Sequence, residues 1–289
     1  MERERWETLY RMLAPWDRGW FRGRYSPAVI VAVYFWAVLH DRPVCWACQA
    51  RHWPADIPLR SYLPSQATMS RRLRQLEVQV LMTALDEQLR GVVHDSPASV
   101  KIVDAKPLSV GGYSKDPEAR WGYGVRGLLK GYKLFAIWEK GPLPLCWRIG
   151  PMNVSEQAMA QQMIRQLRGS GYLLGDKAYD INKLYDAASA VQHQLLADRK
   201  WPQAGLGSRR HSPARLRAIA LLKTKRGRRL YRLRTAIERQ FAGLTNFGGG
   251  LAPLPNWVRR LPRVKLWVHA KMIINALRIN NLRPLTARA

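Results

Sequence analysis

Acidic side chains are scarce in this chain. Asp and Glu number 20 against 48 Lys and Arg, a formal net charge of +28 over 289 residues. So basic a surface points to a polyanionic partner, nucleic acid first, because binding releases counterions from phosphates. Cysteine is nearly absent. Three residues, an odd number, exclude a disulfide framework and fit a reducing cytoplasm. The start, MERERWETLY, has no apolar stretch of the secretory kind. Long apolar runs are missing too. The longest, Pro27 to Leu39, falls short of the roughly 20 residues a membrane span needs and reads as a buried helix. Gly and Pro, at 21 and 18, are too few for a collagen-like or low-complexity chain. The 47% hydrophobic content excludes a disordered basic tail.

The charge that is present is unevenly placed. Residues 1–198 carry 26 basic and 19 acidic side chains, whereas residues 199–289 carry 22 basic and a single acid, Glu238. The last third is therefore the main electrostatic footprint, read as backbone binding.

Apolar spacing predicts a mostly helical region over 1–95, ending in a long helix across ATMSRRLRQLEVQVLMTALDEQLRGVV, with Ser65 or Thr68 as its N-cap. A short helix, a Pro-containing turn and SRRLRQL resemble a helix-turn-helix. Arg71, Arg72 and Arg74 are expected to contact DNA there; a solvated surface helix is the alternative. Asp95-Ser96-Pro97 reads as a linker. Beyond it the texture becomes α/β. Strands are predicted at 100–110, 131–139, 144–150, 171–176 and 193–200. Helices are predicted at 155–169, 182–192, from Arg229 to Thr245 with Gly248–Gly250 as the stop, and from Val264 to about Ile279. The expected domains are 1–95, helical and DNA-binding, and 98–289, α/β.

Three carboxylates occupy special places. Asp104 lies in a predicted strand, Asp176 closes another, and Glu238 sits on the basic helix. A charged group in or beside a buried strand is costly unless compensated, and a metal ion shared by carboxylates is one compensation. Oxygen ligands suit Mg²⁺, and two such ions activate a water or 3′-hydroxyl and stabilise the leaving oxygen of a phosphodiester. On one continuous helix Tyr231, Arg234, Glu238 and Thr245 would share an arc of about 60° beside the apolar stripe, so Glu238 is expected along the core edge. Each acid also has an ordinary reading. Asp176 would be a turn cap, Asp104 a core acid paired with Lys106 or Lys177, and Arg234 with Glu238 a surface pair.

VDAKPL around Asp104, LLGDKAYD around Asp176 and YRLRTAIERQF around Glu238 together resemble the DDE transposases of bacterial insertion sequences that carry a Tyr-Arg-Glu-Lys signature. Tyr231, Arg234 and Glu238 fit that signature, and Thr245 stands where it has Lys, with Arg239 as a substitute. The resemblance covers about 98–280 and implies a ribonuclease-H-like mixed sheet with flanking helices. It further implies Asp104 and Asp176 as ligands of a shared Mg²⁺ and Glu238 as ligand of a second, with Mn²⁺ able to substitute. Tyr231, Arg234 and Tyr179 would contact the DNA. The implied reaction is cleavage at the element ends and 3′-hydroxyl transfer into target DNA. The partners are double-stranded DNA and a second subunit in the DNA complex, with the protein cytoplasmic and nucleoid-associated. A metal-dependent nuclease or resolvase on the same fold, or a catalytically silent DNA-binding relative, are the competing readings. Cys45 and Cys48 with His40 and His52 hint at zinc, but no second pair with ribbon spacing follows and zinc is not adopted.

Overall fold

A computed structural model describes residues 2–17, 24–91, 100–124, 127–207, 210–245, 251 and 253–281. The expected linker at 95–97 and the glycine stop at 248–250 lie outside the described residues. The chain forms two compact units, Met1–Val93 with Leu244–Leu251 and Pro255–Ala289, and His94–Gly243 with Ala252–Leu254.

The first unit is helical: α1 (Glu2–Leu13), α2 (Pro27–Leu39), α3 (Val44–Ala47), α4 (Gln66–Arg72), α5 (Leu76–Gly91) and, from the far end of the sequence, α11 (Leu261–Asn281). The apolar run at 27–39 is its central helix. Ser26 caps it by accepting from the Val29 amide, Pro27 opens it, and every residue from Ala28 to Leu39 is buried. Helices α1, α5 and α11 pack on it. The Trp6, Trp36 and Trp53 rings meet there at 4.7 to 5.8 Å, and Trp6 donates to the Ala32 carbonyl at 2.9 Å. Among the described residues no helix is long and apolar enough to cross a membrane.

The second unit carries a six-stranded mixed sheet: β1 (Val100–Ser109), β2 (Arg120–Gly124), β3 (Gly127–Trp138), β4 (Cys146–Pro151), β5 (Gly171–Gly175) and β6 (His193–Ala197). Its main path runs β2-β3-β1-β5-β6, with β4 paired to β3. β1 and β3 are antiparallel, whereas β1, β5 and β6 run parallel. Helices α6 (Glu156–Ile164), α7 (Asn182–Ala190), α8 (Pro213–Lys223), α9 (Lys225–Arg232) and most of α10 (Ala236–Thr245) complete it. The five expected strands are present, with ends shifted by up to four residues. β2 is an addition, since a Gly-rich polar stretch with exposed Trp121 and Tyr123 lacks the alternation that signals a strand.

Candidate active site

Register brings the first two carboxylates together. β1 pairs with β5 in parallel from Val100 opposite Tyr172 to Ile102 opposite Leu174. Two residues further along the chain from each stand Asp104, within β1, and Asp176, just past β5. By then only β3 still pairs with β1, with Asp104 opposite Ala136. The two acids thus meet at the carboxyl end of a parallel pair, where strands part and α/β sheets bind ligands. Asp104 accepts from the Ala105 amide at 2.8 Å. Asp176 accepts from the Ala178 amide at 2.7 Å and so caps the 3₁₀ turn Lys177–Tyr179, leaving lone pairs for other partners.

Among the described residues nothing cationic compensates Asp104 at hydrogen-bond distance. Burial pushes its carboxyl up to about 6; the Ala105 amide pulls it down, Asp176 and Glu156 push it higher, and Arg234 offsets part of that. Glu156 was not anticipated. It opens α6 just after the Ser155 cap and is held by Lys133 of β3 at 2.6 Å. In the sequence it looks like an ordinary acid in a first helical turn, and only the sheet brings it near Asp104.

The basic helix differs from its expected form. In place of one helix from Arg229 to Thr245 there are α9 and α10, joined by a 3₁₀ turn at Leu233–Thr235. Each 3₁₀ residue turns about 120° rather than 100°, which moves Glu238 about 60° round the axis relative to Tyr231 while Arg234 stays beside both. Tyr231 stays with α9. Its hydroxyl donates to the Gly175 carbonyl at 3.0 Å and accepts from the Asp198 amide at 3.2 Å. Arg234 is half-buried, with its guanidinium carbon 6.0 Å from the Tyr231 ring centre and a nitrogen 3.8 Å from Glu238. The Glu238 side chain is 64% exposed, not laid along the core edge. Upstream, Thr224 caps α9 by accepting from the Gly227 amide, and a Cβ at Gly227 would collide with the Leu221 carbonyl. Glycine is what permits this tight corner between two helices.

The remaining expected residues scatter. Tyr179 lies beside the two aspartates, but it is buried at 1% exposure, its ring packed on Gly175. Arg239 is exposed, and the Thr245 side chain lies outside the described residues. In the first unit the long predicted helix breaks at Leu73–Gln75 into α4 and α5, with Ser65 as the cap of α4. Arg71 and Arg74 face solvent, Arg74 bonded back to Ser70, whereas Arg72 is turned inward and sits 3.5 Å from Glu77. Cys48 donates to the Val44 carbonyl, and burial pushes its thiol up to about 11, which disfavours a thiolate ligand.

Among the described residues no group of three His, Cys, Asp or Glu side chains is placed to hold a metal ion. The pair Asp104 and Asp176 does suit one hard divalent cation. It offers oxygen donors only, with open lone pairs and an uncompensated carboxylate, and Mg²⁺ typically takes one or two carboxylates while keeping several waters.

A family model described as Transposase DDE domain matches residues 95–269. No curated protein and no solved structure matches the chain.

Proposed function

The chain belongs to the transposase DDE domain family, and on that premise we propose that it cuts DNA at the ends of a mobile element and transfers the freed 3′-hydroxyls into target DNA. The observation that carries this reading is the meeting of Asp104 and Asp176 at the parting of β1 and β5, with Asp104 driven up by burial and by like charge. The order β4-β3-β1-β5-β6 supports a ribonuclease-H-like sheet.

Asp104 and Asp176 would hold a shared Mg²⁺ or Mn²⁺, and Glu238 a second ion. Bound there, such cations supply an activated water or hydroxyl and a stabilised leaving oxygen. The protein's own part is positional and electrostatic. The middle of β1 and the end of β5 fix the carboxylates. Arg234, between Asp104 and Glu238, is the cation a backbone phosphate would draw, leaving the exposed Glu238 free to turn inward. Arg239 and the basic α8–α9 corner would grip the backbone, and Arg71 and Arg74 would serve in the helical unit. The substrate is double-stranded DNA, and two ends must be joined at once, so the working form is a homodimer on DNA in the cytoplasm.

The test places the gene with its native flanking DNA on a donor plasmid and measures Mg²⁺-dependent excision and joining to a target plasmid. Joined products are expected from the wild type and not from Asp104→Asn or Glu238→Gln. Cleavage without joining, lost in the same variants, would make this a nuclease. Tight DNA binding without either reaction would make it a silent DNA-binding relative.

A further inference from the structure

We propose that Tyr231 is a positioning residue that sets the Asp176 carboxylate through the Gly175–Asp176 backbone, rather than a contact to DNA. This rests on the function proposed above.

The hydroxyl has one proton to give, and it gives it to the Gly175 carbonyl at 3.0 Å while accepting from the Asp198 amide at 3.2 Å. Both bonds are inside the protein. Their partners are significant. Gly175 is the last residue of β5, pairs in register with Ala197 of β6, and directly precedes Asp176; Asp198 directly follows Ala197. The parallel ladder runs out at this point, leaving one carbonyl and one amide to be satisfied. The Tyr231 hydroxyl bridges them in place of the next rung. On its other side Gly175 is packed against Tyr179, since a Cβ there would stand 3.1 Å from three Tyr179 side-chain atoms. The peptide carrying Asp176 is thus held by the Tyr179 ring and by the Tyr231 hydroxyl, and Asp176 is tied forward by its bond from Ala178. Few degrees of freedom remain. The anchor comes from α9, so the basic helix and the carboxylate are mechanically one piece.

Residues that orient a metal-binding side chain without touching the metal typically cost about 10- to 100-fold in affinity or activity when changed. Tyr231→Phe keeps the ring and removes only the bridge. Mn²⁺ binding measured by electron paramagnetic resonance, without DNA, is expected to weaken about tenfold or more. Plasmid nicking at saturating DNA is expected to slow by a similar factor. Affinity for a short duplex taken from the native flanking DNA is expected to stay unchanged, because the hydroxyl is already spent. A purely structural role would lower the melting temperature and leave Mn²⁺ affinity unchanged in the protein that remains folded.

A measurement on the wild type guards against a variant that does not fold. Adding Mg²⁺ alone is expected to slow hydrogen exchange at the Asp198 amide. Weakened duplex binding with unchanged Mn²⁺ binding in Tyr231→Phe would overturn the inference and make Tyr231 a DNA contact. So would an Asp198 amide indifferent to Mg²⁺. A wild type that neither binds Mn²⁺ nor nicks DNA would overturn the proposed function itself, and this inference with it.

Discussion

Two carboxylates only 76 residues apart in the sheet unit are treated in opposite ways by the fold. Asp180 is fully provided for. Its side chain is 1% exposed, takes two bonds from Arg215 at 2.7 Å, one from the Lys200 amide at 3.0 Å and one from the Tyr185 hydroxyl at 3.2 Å. Burial alone would raise it, yet Arg215 and the Lys200 amide hold it below the usual carboxylate range. Asp104 receives one amide and the company of two further acids, and is pushed up to about 6. The chain can satisfy a buried acid and does so four residues after Asp176. At Asp104 no such set of partners is found among the described residues. Perturbed acids of this second kind mark functional sites.

Removing a group from each side breaks the comparison most strongly. Asp180→Ala strands the Arg215 guanidinium and is expected to cost about 3–5 kcal/mol in chemical denaturation. The acid's carboxyl is depressed in the folded state, so its contribution is present at neutral pH and fades as pH falls below about 4. A loss below about 1 kcal/mol at pH 7 would remove Asp180 from the structural class.

Asp104→Asn should move stability the other way. A folded-state carboxyl near 6, against 3.8 unfolded, means that the native protein holds the proton more tightly than the unfolded chain. The charged acid therefore destabilises the metal-free fold above pH 6, and this penalty vanishes as pH falls towards 4. Asn removes it, so the variant is expected to be more stable at pH 7.5 without metal, by up to about 3 kcal/mol, with the gain gone near pH 4. The same proton competes with a cation. Mn²⁺ affinity of the wild type is expected to fall about tenfold per pH unit below 6. A variant no more stable than the wild type at pH 7.5, or Mn²⁺ binding flat from pH 7 to 5, would show Asp104 to be an ordinary core acid.

What was legible in the sequence follows from the range of the forces involved. Strands with apolar runs and an acid within or just after them are local patterns, and β1 and β5 with Asp104 and Asp176 could be placed from them. Their meeting is a matter of register, which no local pattern prints. Glu156 is invisible for the same reason, since its neighbours Lys133 and Asp104 come from two strands distant in sequence. Arg72 has the composition of a DNA contact, but a break of three residues after it turns its side chain inward. The split at Leu233–Thr235 is hidden differently. YRLRTAIERQF has helical spacing throughout, and the bonds that hold Tyr231 to two strand ends belong to tertiary structure, which overrides propensity. That α11 packs with α2 and α5 was likewise beyond local reading.

Glu238 gives the smallest stability effect and the sharpest form of the comparison. It is the one acid among 22 basic residues in the last third, yet the fold spends nothing on it. The side chain is 64% exposed, and its pair with Arg234 at 3.8 Å is of the surface kind, contributing about 0.5 kcal/mol or less. Glu238→Gln should therefore leave the denaturation midpoint where it was, while plasmid nicking disappears. An acid needed only for folding behaves in the reverse manner, as Asp180 is expected to. Should Gln at this position nick at the wild-type rate, the exposed pair with Arg234 would be the whole of its role, and the second cation would have to be held without it. Should it lose nicking with no change in stability, the three acids would fall in one class: groups that the fold presents but does not satisfy.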